Sequence, residues 1–296
     1  MIPCVLPAVP ALSATNVDRF WAGLRLLRLS NAIPAALLVL LGGRLTGVSP
    51  LPGEAVMAAG AMWCITAYGY VSNDLADRVE DRMNKPDRPL PSGLISASVA
   101  RWMATLLAGL GLVLALGSGG LLPVGAAGIA LSLLTWYNRH WKSSAGGGNL
   151  LIGGLAGSTL LVGGYAAAGW TGVAANLLPG AVLFAFITAR ELLKAAEDVA
   201  GDRAAGKPTA ATVHGSRWVI RRVALLAGIT TLLSVLPVIV LGYSWAYLAI
   251  IGLGVDGALI YAAIYLWADA RPSRVSHCLA LLKGSYFAGL LALLLA

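Results

Sequence analysis

Charge is what this chain lacks most. Only 11% of its residues are Asp, Glu, Lys or Arg, while 58% are hydrophobic. A soluble globular domain carries about 25% charged residues, so too little polar side chain is present to cover a water-facing surface. An ordinary soluble enzyme is excluded. Cysteine is scarce too: Cys4, Cys64 and Cys278 are odd in number, far apart and without CxxC spacing. That pattern gives neither a disulfide framework nor a thiolate metal site, and leaves the thiols as small apolar packing residues. His140, His214 and His277 are equally isolated, so neither zinc nor haem is expected. Residues 1–14 hold three prolines and no basic residue, which is not the pattern of a secretory signal. Residues 1–16 are expected to be a flexible N-terminal tail.

What remains is apolar and periodic. The mean hydropathy is +0.79 over 296 residues. At about 20 residues per crossing plus loops, the expected fold is all-α, a polytopic membrane protein of about nine transmembrane helices around a central cavity. The spans are expected near 32–48, 54–73, 99–117, 120–138, 149–168, 174–194, 218–241, 244–267 and 276–295. Ahead of them, Phe20, Trp21, Leu24 and Leu27 recur near helical period with Arg19, Arg25 and Arg28 among them. This predicts an interfacial helix over 17–30. Residues 17–296 then form a single membrane domain, with motif loops at 74–93 and 191–215.

Basic residues set the orientation. Of the 21 Lys and Arg, all but Arg44 and Lys283 fall in the N-terminal arm or in loops and helix ends after the second, fourth, sixth and eighth spans. The positive-inside rule makes those loops cytoplasmic and puts the C-terminus on the opposite side. The net charge of +8 then reflects membrane lipid and anionic substrates. No nucleic acid is implied, since no soluble domain carries a basic stripe with interleaved aromatics.

Acidic residues are more concentrated still. Of 13, five lie within 74–87 (Asp74, Asp77, Glu80, Asp81, Asp87) and four within 191–202 (Glu191, Glu197, Asp198, Asp202). In a helix Asn73, Asp77 and Asp81 share one face, with Asp74 beside Asp77. Stacked like charges destabilise a helix unless something positive neutralises them. Carboxylate and amide oxygens facing one point fit a hard cation, most simply Mg²⁺. The second cluster repeats the device, because Asp77 to Asp198 and Asp81 to Asp202 are both 121 residues apart. The equal spacing predicts two pseudo-repeated four-helix units plus one further helix. Two acidic ends facing each other across a cavity can hold a pair of Mg²⁺ ions bridged by a diphosphate.

Three features together resemble the UbiA superfamily of intramembrane prenyltransferases: the run Asn73-Asp74-x-x-Asp77-x-x-x-Asp81, its tail Asn84-Lys85-Pro86-Asp87-Arg88-Pro89-Leu90-Pro91-Ser92-Gly93, and the second motif from Arg190 to Asp202. The tail and second motif are most similar to the branch that includes digeranylgeranylglyceryl phosphate synthases, and aromatic prenyltransferases share much of the pattern. The resemblance implies that Asn73, Asp74, Asp77, Asp81, Asp198 and Asp202 hold Mg²⁺, with Asp77, Asp81, Asp198 and Asp202 carrying catalysis. It implies that Lys142, Arg28 and Asn31 contact the diphosphate. Arg88, Lys194 and Arg203 are further candidates for that anion, and Arg190 for the anion or a carboxylate; the alternative for these cations is a plain interfacial anchor. The loop 86–93 is expected to cap the donor site and exclude water.

Two positions depart from the family pattern. Ala195 stands where an Asp is usual, and Ser143 where a second basic residue is common. The first leaves acceptor identity and any general-base step open. Asp256 is placed inside a span, where a carboxylate is costly, and is expected to make a polar contact within the bundle or its cavity. Tyr68 and Tyr137 lie close to the acidic ends, although packing or an interfacial belt explains most aromatics here.

The resemblance implies a Mg²⁺-dependent prenyltransferase. Its donor is a polyprenyl diphosphate of the farnesyl or geranylgeranyl class, and its acceptor is an aromatic ring or a lipid-like alcohol. A terpene cyclase, in which the same cation is captured internally, is the alternative within the superfamily. A non-catalytic isoprenoid-binding protein is the third reading, and intact metal carboxylates speak against it.

Overall fold

The computed structural model describes residues 15–141, 147–204 and 206–296, and every regular element in them is helical. Nearly all of the expected tail lies outside the described residues. Helix α1 (Asn16–Leu27) opens on a capping box, with the Asp18 N–H donating to the Thr15 hydroxyl and the Thr15 N–H returning to the Asp18 carboxylate at 2.9 Å. Ala22 and Leu26 are buried, while Val17, Phe20 and Trp21 face outward. The chain bends by 46° into α2 (Leu29–Arg44). The bend is at Arg28, whose φ of 47° is the one positive value at a non-glycine among the described residues.

Helix α3 (Gly53–Ala76) leads to the short α4 (Arg78–Asn84), then α5 (Ala97–Gly117) and α6 (Leu121–Trp136), which ends in a π turn over Tyr137–Trp141. The second half opens with α7 (Gly147–Ala175), broken at Ala168 and Gly169, followed by α8 (Leu177–Glu197) and the short α9 (Val199–Ala204) and α10 (Ala210–His214). Helix α11 (Ser216–Leu241) precedes α12 (Trp245–Ile251), which runs through a π turn at Gly252–Asp256 into α13 (Gly257–Ala268). Helix α14 (Pro272–Leu294) follows.

Each expected span falls on a helix. Among the described residues seven helices are long and apolar enough to cross a membrane, or eight with the bent α1–α2 pair. The expected count of nine is thus not reached; of the helices on expected spans, α8 is the one outside this set. It carries Arg190, Glu191 and Lys194 in its last turns, so composition alone does not mark it as a span. Most of α8 is buried or half-buried.

Each half has its own core. In the first, Ala22 and Leu26 of α1 meet Val71 of α3, Ala100 of α5, and Leu90 and Ile95 of the loop after α4. In the second, Leu193 of α8 packs with Val219 and Val223 of α11, Tyr247, Leu259 and Leu282. The halves join along α2 and α7 through small residues that let backbones touch. A Cβ added to Gly163 would run into the Val39 carbonyl oxygen, and one on Gly42 into that of Leu160. Asn176, fully buried, ties the seam by donating to the carbonyls of Gly42 and Gly172, both at 2.9 Å.

Gly163→Val is therefore expected to destabilise the bundle by about 1–3 kcal/mol through overpacking. A clear fall in the thermal midpoint of detergent-purified protein checks this, and an unchanged midpoint would contradict the seam.

Candidate active site

Both acidic motifs are built the same way. Asp77 lies between α3 and α4 (φ −84°, ψ 3°) and Asp198 between α8 and α9 (φ −80°, ψ 0°). The Asp77 N–H donates to the Asn73 carbonyl at 2.9 Å and the Asp198 N–H to that of Lys194 at 3.0 Å. The Asp81 and Asp202 N–H groups reach the carbonyls of Asp77 and Asp198, each at 2.9 Å. An unbroken helix through Asn73, Asp77 and Asp81 is thus corrected to one that bends at Asp77. Aspartate favours helix ends, and stacked carboxylates repel along a straight face. The 121-residue spacing is the repeat of this bend.

In the first motif the carboxylates are held by two arginines. Buried Asp74 accepts from Arg28 at 2.5 Å and lies 3.4 Å from Arg88, while buried Asp81 accepts from Arg88 at 2.6 Å. Asn73 donates its amide to Asp77 at 3.0 Å. Arg88 is carried by the proline-rich loop, which turns back through the Ser92 N–H to Arg88 carbonyl and Ile95 N–H to Pro89 carbonyl bonds, both 3.0 Å. Gly93, at φ 77°, makes the turn. Pro89, Leu90 and Ile95 bury themselves beneath it. Arg88 does not line the cavity; it fastens the loop to Asp74 and Asp81.

In the second motif Arg190 donates to Glu191 at 2.7 Å, and the Lys194 ammonium stands 3.9 Å from the other Glu191 oxygen. Two cations rest on aromatic faces: Arg28 over Tyr70 at 4.9 Å and Arg190 over Tyr286 at 5.5 Å. Arg28, Tyr70, Asn73, Tyr137, Arg190, Glu191, Lys194 and Tyr286 all line one cavity of about 850 Å³. Asn31 lines it as well.

The cavity is long and, below this rim, apolar. Along α3 its lining runs from Asn73 back to Ala58, which at 1.5 Å per residue is about 22 Å of depth. Farther along, Tyr165 and Trp170 line it beside the break in α7, packed edge to face at 5.6 Å, with Trp170 exposed. The two acidic ends share the near end. Asn73 of the first motif and Arg190, Glu191 and Lys194 of the second line it together with Tyr137, so the two motifs meet at one mouth.

The remaining candidates are distributed as follows. Asp198 and Asp202 are half-buried at the bend and the helix after it, and Arg203 is exposed away from the cavity. Lys142 and Ser143 lie outside the described residues. Tyr68 shares a hydrogen bond with Thr135 at 2.6 Å and belongs to the first core. Asp256, buried in the π turn, accepts from Ser234 of α11 at 2.6 Å and does not line the cavity. Its polar contact is within the bundle.

Among the described residues no three His, Cys, Asp or Glu side chains form a group that could hold a metal by itself. This fits magnesium bound with a substrate, because Mg²⁺ is usually held by one or two carboxylates, waters and substrate phosphates rather than by an all-protein cage. The donor atoms at the mouth are oxygens, as a hard cation requires.

Sequence reasoning gave no role to Tyr70, Tyr286 and Glu191. Tyr70 had a signal, since it lies three residues before Asn73 and so on the same helix face. Tyr286 had none, because only the packing of α14 against α8 brings it to Arg190.

A helical bundle with one deep apolar cavity, lined at one end by residues of both acidic motifs and by arginines, defines an intramembrane enzyme for lipid-like diphosphates. The chain belongs to the UbiA prenyltransferase family, whose model matches residues 32–287. It is 34% identical to a digeranylgeranylglyceryl phosphate synthase of Ignicoccus hospitalis over 92% of this chain and 90% of that one. A protein of the same name from Natronomonas pharaonis is 33% identical over 93% and 96%. A solved structure concerning digeranylgeranylglyceryl phosphate synthase in membranes superposes with a TM-score of 0.75 at 29% identity, covering 93% of this chain and 97% of that one. In fold the chain also matches a UbiA homologue of Archaeoglobus fulgidus bound to GPP and Mg²⁺, with a TM-score of 0.62 at 18% identity over 91% and 99%.

Proposed function

We propose that this chain transfers a polyprenyl group of the farnesyl or geranylgeranyl class from its diphosphate to the hydroxyl of a lipid-like acceptor, at the cytoplasmic face. The observation that carries the reading is one apolar cavity, about 22 Å deep, whose mouth is lined by Asn73 of the first motif and Arg190, Glu191 and Lys194 of the second. The names of the relatives support a donor carrying geranylgeranyl and an acceptor of the glyceryl phosphate type.

Each part of the mouth has a task. Asp77, Asp81, Asp198 and Asp202, with Asn73 and Asp74, are the residues that would hold magnesium, two ions in this reading. The metal supplies positive charge that stabilises the departing diphosphate. Arg28, Asn31, Arg190 and Lys194 face the same anion from the cavity side, and fixed cations in a water-poor site stabilise charge as it develops. Lys142, outside the described residues, and Arg203, exposed beyond the cavity lining, are proposed as further contacts of that anion. The apolar walls hold the prenyl chain and keep water from the allylic cation, which water would otherwise quench. The loop carrying Arg88 closes over the first motif. Its ion pairs with Asp74 and Asp81 link loop position to the metal carboxylates.

The test is turnover of purified protein with Mg²⁺ and geranylgeranyl diphosphate, with and without a glyceryl phosphate lipid bearing one free hydroxyl. The proposal expects an ether product and released diphosphate only when the acceptor is present. Cyclic hydrocarbons formed without acceptor would make the protein a cyclase, and absence of diphosphate release under both conditions would make it a binding protein.

A further inference from the structure

Transfer to a hydroxyl leaves a proton to place. When the acceptor oxygen bonds the allylic carbon and the carbon–diphosphate bond breaks, the oxygen becomes positively charged until its O–H proton departs. Nothing in the metal carboxylates accounts for that proton, because Asp74, Asp77, Asp81, Asp198 and Asp202 are not among the residues that line the cavity. Among the described lining residues one carboxylate remains, Glu191.

We infer that Glu191 is the proton acceptor for the attacking hydroxyl. The inference rests on the transferase reading above and extends it by a residue. Glu191 stands one helical turn before Ala195 and two before Asp198, on α8. Its side chain is 13% exposed, and it lines the same cavity as three phenols from three other elements: Tyr70 of α3, Tyr137 of the π turn and Tyr286 of α14. On its own helix Arg190 and Lys194 flank it, and Arg28 adds positive charge at Tyr70. A carboxylate is base enough for this step because a protonated ether oxygen is a strong acid. The balance is simple: the C–O bond forms, the carbon–diphosphate bond breaks, and the proton passes from oxygen to Glu191 and then to water at the mouth. Ala195, the departure from the family pattern, packs against the second core and does not line the cavity. The missing carboxylate at that position therefore leaves Glu191 unreplaced.

The experiment compares wild type, Glu191→Gln and Glu191→Asp in two measurements. The first is binding of geranylgeranyl thiolodiphosphate with Mg²⁺, and the second is single-turnover transfer to the glyceryl phosphate lipid. Glu191→Gln is expected to bind the donor analogue within about threefold of wild type and to transfer about a hundredfold more slowly, the usual cost of losing a general base. Glu191→Asp is expected to recover part of the rate. Wild-type transfer by Glu191→Gln would overturn the inference and assign the proton to the leaving diphosphate. A matching loss of donor binding would also overturn it, showing that Glu191 only positions Arg190 and Lys194. If wild type itself binds the analogue but forms no ether with the acceptor, the transferase reading fails instead, which these measurements separate from a failure of Glu191.

Discussion

Asp77→Ala and Asp198→Ala are each expected to lower turnover at least about a thousandfold while leaving a folded, extractable protein. The magnitude follows from removing a charged ligand at the point where the diphosphate charge develops, where a single stabilising group is worth several kcal/mol. The folded state should survive because neither side chain is part of a core: both are half-buried at helix bends. The backbone N–H groups at both positions bond the carbonyls of Asn73 and Lys194, and alanine preserves those bonds. The two variants should be alike in effect, since the backbone at the two positions has the same geometry and both motifs contribute residues to one mouth. Steady-state turnover with a thermal melt on the same preparations checks this. Near-wild-type turnover in either variant would remove that bend from the site.

Withdrawing divalent metal with a chelator is expected to have a comparable effect, reducing turnover at least a thousandfold. Turnover should return with added Mg²⁺ but not with K⁺. The protein should stay folded in the chelator. Asp74 and Asp81 are already compensated by Arg28 and Arg88, and the bundle is held by apolar cores in each half and by the α2–α7 glycine seam. A chelator that unfolded the protein would mean that the ions are structural. Turnover that persisted would mean that the arginines alone carry the leaving group.

Much of this was legible before any coordinates. The scarcity of charge forced a membrane bundle, and the places where charge gathered marked the site, because carboxylates are too costly in lipid to be scattered without purpose. The 121-residue spacing of the aspartate pairs foretold matching helix ends. Their bends were not legible, since periodicity describes a straight helix and the break depends on local repulsion and capping. Nor was the pairing of Arg88 with Asp74 and Asp81, which needs the proline-rich loop to fold back over seven to fourteen residues of chain. Arg28 was visible as a cation but not as the hinge between α1 and α2. A left-handed conformation at an arginine is unfavourable by about 1–3 kcal/mol, and it is held here by the ion pair with Asp74. The meeting of Tyr286 with Arg190 came only from tertiary packing.

One diphosphate gripped from two sides is the claim on which the rest depends. A structure with Mg²⁺ and geranylgeranyl thiolodiphosphate bound tests it most directly. The account predicts the diphosphate at the Tyr137 end of the cavity, with metal contacts from the Asp77 side and the Asp198 side together and the prenyl chain running toward Tyr165. A diphosphate that touched one bend only, or that lay outside this cavity, would contradict it.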